Sequence, residues 1–102
     1  MNLKSLYYFK ELTTDMNMTK TANRLFISQQ TLSNHILRLE EYYGVKLFDR
    51  SHKLSLTNAG SYLLTFATDV LRKEKELQDI FVDIKNQSKG LFRFGASPLR
   101  TE

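Results

Sequence analysis

Apolar residues recur at helical spacing along the first part of the chain. Leu3, Leu6, Phe9 and Thr13, joined by Tyr7 and Leu12, predict a first amphipathic helix over residues 3–14, with Asn2 as its candidate N-cap. The polar stretch Asp15–Asn17 breaks the period, and Met18 and Thr19 open a short second helix to about Phe26. Its expected inner face is Ala22, Leu25 and Phe26, the alanine being small enough for a close helix crossing. Ile27-Ser28 separates it from a third helix. Ser28 suits the N-cap of the run Gln29–Tyr43, on which Leu32, Ile36, Leu39 and Tyr43 make one apolar face. Gly44 supplies the stop. Two short helices joined by so brief a turn form a helix-turn-helix pattern.

Alternation replaces the helical period after Gly44. Val45–Arg50 and Lys53–Leu56 flank Ser51-His52 and predict a short β-hairpin. Thr57 is the candidate N-cap of a long fourth helix from Asn58 to about Lys89, about 45–48 Å at 1.5 Å per residue. Leu63, Phe66, Val70, Lys73, Leu77, Ile80 and Ile84 follow alternating steps of three and four, a heptad stripe lapsing only at Lys73. A small domain cannot cover so long a stripe, so Leu63, Phe66, Val70, Leu77, Ile80 and Ile84 are expected to pair with a second copy. Gly90 ends the helix, and Leu91–Ala96 reads as a strand. The fold class expected is mainly α: a winged helix-turn-helix with a small hairpin wing and a long dimerisation helix.

With the Ile36 face of the third helix inward, 100° per residue puts Gln30, Thr31, Asn34 and Arg38 opposite, flanked by Ser33 and Leu37. A merely solvated face would be richer in Glu/Lys pairs. Here Glu40 and Glu41 lie at the C-terminal end. Amides pair with adenine edges, Arg with guanine or phosphate, and hydroxyls with either. A recognition helix is the expectation. The basic hairpin tip, with Arg50, His52 and Lys53, would be a wing touching the DNA backbone or minor groove.

Composition narrows the alternatives. The chain has 102 residues, room for about one domain, and a core this small benefits from a partner subunit. The absence of cysteine removes disulfides, thiol catalysis and cysteine-ligated zinc. Two histidines are too few for an all-protein zinc site unless carboxylates join them, and His35, at the edge of the apolar face, reads as a residue that packs or meets a water. The sequence offers no nucleophile–base pair, metal cluster or phosphate loop, so no enzyme is expected. No apolar run approaches the ~20 residues of a membrane span and the N-terminus lacks a signal-peptide core, so a cytoplasmic protein is expected. The net charge of +4 is unevenly placed: residues 1–56 hold eight Lys/Arg against five Asp/Glu, and residues 57–102 seven against six. The excess lies with the helix-turn-helix. A second reading makes that motif structural and gives the coiled helix a protein partner; a salt-dependent shift of random duplex DNA separates the two.

The spacing Ala22-x-x-Leu25-x-x-Ser28-Gln29-x-x-Leu32-Ser33-x-x-Ile36-x-x-Leu39-Glu40-x-x-x-Gly44-x-x-Leu47-Phe48-x-Arg50, followed by Leu56-Thr57-x-Ala59-Gly60, resembles the N-terminal domain of LysR-type transcriptional regulators. The likeness runs from Met1 to about Ser97. It implies a winged helix-turn-helix over residues 1–57 and an antiparallel linker helix over 58–89. Residues 90–102 would begin an effector-binding domain otherwise missing from this chain. The chain is therefore expected to be a DNA-binding fragment without a cofactor, its small-molecule effector bound by the missing part. Its partners would be double-stranded DNA and a second copy, with a tetramer as the larger assembly of the full-length protein. Family DNA contacts, carried over by position, fall on Gln29, Gln30, Thr31, Ser33, Asn34, Arg38, Arg50 and Lys53. Thr19 and Ser28, at the starts of the second and third helices, complete the candidate set. The sequence departs from the family pattern at Thr21, Gln30, Tyr42-Tyr43 and Asn58, and its wing is about one residue short.

Overall fold

A computed structural model describes residues 2–88. The elements are α1 (Leu3–Asp15), α2 (Met18–Arg24), α3 (Gln29–Tyr43), β1 (Phe48–Asp49), β2 (Ser55–Leu56) and α4 (Asn58–Ser88). The fold is mainly helical with one small antiparallel sheet, as expected. The chain divides into two units, one reaching Leu71 and one starting at Arg72. The expected strand at 91–96 and the helix stop at Gly90 lie outside the described residues.

Local chemistry sets the helix ends. Asn2 Oδ1 accepts the Ser5 N–H at 2.9 Å and Asn17 Oδ1 accepts that of Lys20 at 2.8 Å. Ser28 Oγ accepts the Thr31 N–H at 3.0 Å, and Thr57 Oγ1 that of Gly60 at 2.9 Å. Each satisfies a donor that the first helical turn leaves unpaired. Left-handed residues end three of the helices: Met16 (φ 49°) after α1, Phe26 (φ 59°) after α2 and Gly44 (φ 71°) after α3.

Phe26 corrects the expected inner face of α2. The Phe26 N–H turns back to Asn23 O at 3.2 Å and the Ile27 N–H to Ala22 O at 3.0 Å. This pair of reversed bonds closes the helix at Leu25, swings Phe26 out to 94% exposure, and brings Ile27 onto the core in its place.

The core of the first unit joins Leu6, Phe9 and Leu12 of α1 to Ala22 of α2 and Leu32, Ile36 and Leu39 of α3. Leu47 and Phe48 of the wing and Leu63 and Ala67 of α4 close it. The Phe9 and Phe48 rings meet at 5.5 Å. Tyr43, expected on the buried face of α3, is 39% exposed because the helix outruns this core. It lines an open apolar hollow of about 370 Å³ with Val45, Leu47, Ala59, Tyr62, Leu63 and Phe66. Leu63, expected on the pairing stripe, is 7% exposed within the intramolecular core, and Val70 packs partly against the same core.

The wing is shorter than the alternation suggested. Only Phe48↔Leu56 and Asp49↔Ser55 pair. The neighbouring backbone is satisfied otherwise. The Thr57 N–H donates to Leu47 O at 3.0 Å and the Thr57 hydroxyl to Lys46 O at 2.7 Å. Gly60 is required by close approach: a Cβ there would overlap Leu47 O and the Leu56 side chain.

In the second unit, the helix carries i,i+4 pairs Arg72–Glu76 at 3.2 Å and Lys75–Asp79 at 2.8 Å, with a Gln78–Glu74 hydrogen bond at 2.6 Å. Leu77, Phe81 and Val82 are exposed there, and Ile80 and Ile84 half-buried.

Candidate nucleic-acid interface

Polar locks hold the helix-turn-helix from behind. Arg24 donates through Nε and Nη2 to Asp15 Oδ2 at 3.0 and 2.7 Å, and through Nη1 to Glu11 Oε1 at 2.6 Å. Thr21, buried, donates its hydroxyl to the same Asp15 oxygen at 2.7 Å. The Thr21 hydroxyl and then Arg24 hold the Asp15 carboxyl below its ordinary range. The departure from the family pattern at Thr21 thus has a partner. Arg24, one of the two long cations of α2, thus braces α2 against α1.

The inner face of α3 carries a second lock. His35 is buried, its Nδ1 2.8 Å from Ser5 Oγ and its ring edge-on to Tyr8 at 4.7 Å. Burial, then the nearby Arg38 and Lys4 charges, lower the imidazole pKa. Of the two roles expected for His35, packing or a water contact, the structure shows the packing.

A third lock was not legible from charge pattern. Glu40, one of the two acids placed at the C-terminal end of α3, is only 7% exposed. Its Oε2 accepts the N–H groups of Leu47 at 2.8 Å and Phe48 at 3.4 Å, tying the wing root to α3. The Leu39-Glu40 step in the motif was the available signal.

These locks leave a polar surface on α3. Gln29, Gln30, Thr31 and Arg38 are exposed, and Ser33 and Asn34 half-buried. Gln30 Nε2 donates to Asn34 Oδ1 at 3.0 Å, one turn along the helix. That contact orients both amides and leaves Gln30 Oε1 and a second Nε2 hydrogen for an incoming partner. Ser28 is more occupied: besides capping, its hydroxyl donates to Thr31 Oγ1 at 2.9 Å. Ser28 therefore acts on this surface by fixing the start of the helix. Thr19 is exposed in the first turn of α2.

At the wing tip Arg50, His52 and Lys53 are exposed. Asp49, the acid beside them, accepts the Ser51 N–H at 2.9 Å and hydroxyl at 2.8 Å, which lowers its pKa. Arg50 shares an open hollow of about 390 Å³ with Leu37 of α3, Lys46 and Thr57, so the wing root and α3 are neighbours. Hydrogen-bonding side chains on one helix beside a cationic hairpin suit a ligand offering both base edges and phosphates.

Among the described residues no cluster of His, Cys, Asp or Glu could hold a metal ion, and no helix is long and apolar enough to cross a membrane.

Residues 3–61 match the model of the lysR family of bacterial regulatory helix-turn-helix proteins. The chain is 31% identical over 100 residues to the uncharacterized HTH-type transcriptional regulator YkuM of Bacillus subtilis (strain 168), covering 97% of this chain and 34% of that protein. It thus spans about a third of the length of the curated relatives it matches. A crystal structure of a BenM DBD/catB site 1 DNA complex superposes with a TM-score of 0.79 at 30% identity, over 83% of this chain and 97% of that one. A CbnR DBD–DNA complex gives 0.78 at 31% identity, over 83% and 99%.

Proposed function

The chain belongs to the lysR family of bacterial regulatory helix-turn-helix proteins, transcriptional regulators rather than enzymes, and from that premise we propose that it binds double-stranded DNA sequence-specifically as a dimer. The observation that carries this reading is the exposed, amide-rich start of α3, positioned by locks at Ser28, His35 and Glu40. DNA is present in two similar solved structures, the BenM and CbnR complexes.

In this reading α3 (residues 29–43) enters the major groove. Gln29, Gln30, Thr31, Ser33 and Asn34 face base edges and Arg38 a base or phosphate. The wing, about 47–56, lays Arg50 and Lys53 on the backbone or minor groove, while Thr19 and the Ser28-capped helix start serve phosphates. Residues 1–57 form the DNA-binding part, 58–89 the linker helix and 90–102 the start of an effector-binding domain that takes a small molecule in the longer protein. The chain works in the cytoplasm.

Dimerisation follows from apolar surface that the chain leaves uncovered. On α4 Phe66 and, in the second unit, Leu77 remain exposed, with Ile80 and Ile84 half-covered. Paired linker helices would set two α3 helices on half-sites one or more helical turns (about 34 Å each) apart.

Salt dependence tests the proposal. Affinity should fall steeply with rising salt, and Lys53→Ala should weaken all sequences about equally and flatten the logarithmic salt slope by roughly one. Salt-independent or absent duplex binding would favour the protein-interaction reading instead. A Lys53→Ala protein with altered site preference and an unchanged slope would remove Lys53 from the phosphate contacts.

A further inference from the structure

Phe26 is the most exposed large apolar side chain among the described residues, at 94%, with Tyr62 next at 75%. It also holds a left-handed backbone (φ 59°), a conformation that favours Gly or Asn and penalises a residue with a bulky side chain. The turn needs that backbone: the reversed bonds Phe26 N–H→Asn23 O and Ile27 N–H→Ala22 O close α2 there. It does not need the ring, because Ile27 supplies the apolar contact to the core. The fold itself makes no use of an aromatic ring here. A benzyl group in this position combines backbone strain with full hydration, and a ligand that covers the ring from outside the chain removes the hydration.

Position indicates which ligand. Phe26 lies two residues before the Ser28 cap, at the end of α3 that presents Gln29 and Gln30. Side-chain amides pair with adenine in the major groove, and every adenine faces a thymine, whose 5-methyl group is the apolar feature of that groove. Resting on the DNA-binding reading above, we propose that Phe26 is a specificity-determining residue that packs its ring on a thymine methyl at the rim of the major groove.

The experiment uses the 102-residue chain and a duplex recovered by selection from a random pool. Affinity is measured for the wild type, Phe26→Asn and Phe26→Leu on that duplex and on copies in which one thymine at a time is replaced by deoxyuridine. Removing the methyl of one contacted thymine should weaken the wild type about fourfold, the scale of one buried methyl group. Phe26→Asn should show that loss already and be indifferent to the methyl, with a melting temperature equal to or above the wild type's. Phe26→Leu should recover part of the methyl dependence. If Phe26→Asn matches the wild type on the selected duplex, or if its loss is undiminished on every uracil duplex, the thymine contact is wrong. Failure of the wild type to select any duplex would instead overturn the DNA-binding reading itself.

Discussion

Replacing Glu40 with alanine should unfasten the wing. The carboxylate is nearly inaccessible and accepts two backbone N–H groups, at 2.8 and 3.4 Å. A charge-assisted bond of the shorter kind contributes about 1.5–3 kcal/mol, and a donor left buried without a partner costs about 1–3 kcal/mol. The longer bond adds less. The two figures describe one loss from its two sides, so with a smaller share from the longer bond the cost of Glu40→Ala is about 2–4 kcal/mol, a large share of the roughly 5–15 kcal/mol typical of a whole domain. The Lys46 ammonium, 4.0 Å from the other carboxylate oxygen and well exposed, adds little. Glu40→Gln keeps a carbonyl oxygen for the Leu47 N–H and should cost about half as much. The assay is urea unfolding at fixed protein concentration, because dimerisation contributes to apparent stability. A Glu40→Ala protein within about 0.5 kcal/mol of the wild type at unchanged m-value would refute the reasoning, since the wing root would then have other ways to satisfy its donors.

Three further outcomes follow from the same geometry. Gly60→Ala drives a methyl into the Leu47 carbonyl, and a backbone atom yields poorly, so thermal unfolding should show a loss of about 1–3 kcal/mol; an unchanged melting temperature would contradict the close approach. The folded state holds the His35 pKa below its ordinary value of 6.5, so the unfolded chain takes up the proton first and stability should fall as pH drops below about 6.5. His35→Phe should flatten that part of the curve in urea titrations between pH 7.5 and 5.5, and an equal slope in both proteins would assign the pH dependence elsewhere. Leu77→Glu should give monomers in sedimentation at micromolar concentration while leaving the helical signal of residues 2–71 in place; a dimer that survives would move the seam off Leu77.

What the sequence made legible was periodic. The Asn2, Ser28 and Thr57 caps and the Gly44 stop were readable because each is a local event between a side chain and its own helix end. The polar face of α3 was readable because 100° geometry needs only one buried reference, Ile36. Phe26 was misplaced because apolar spacing does not register a left-handed residue closing α2 two residues early. Tyr43 keeps the right phase but lies past the end of the core, and phase says nothing of how far a core extends. The role of Glu40 was not readable because its partners, the N–H groups of Leu47 and Phe48, are backbone and leave no trace in charge pattern. Leu63 sits on the heptad stripe yet is buried by its own domain, since the stripe and the core share the first turns of α4. The α3 surface was thus visible from the sequence, and the bracing that holds it rigid was not.

The central claim, that the start of α3 chooses a DNA sequence, is tested most directly by site selection from a random duplex pool at near-physiological salt, with wild type and Gln30→Ala in parallel. The wild type should enrich a two-fold repeated site containing fixed A·T positions, and Gln30→Ala should lose preference at one of those positions in each half while keeping the rest. Enrichment of the same site by both proteins, or of none by the wild type, would contradict it.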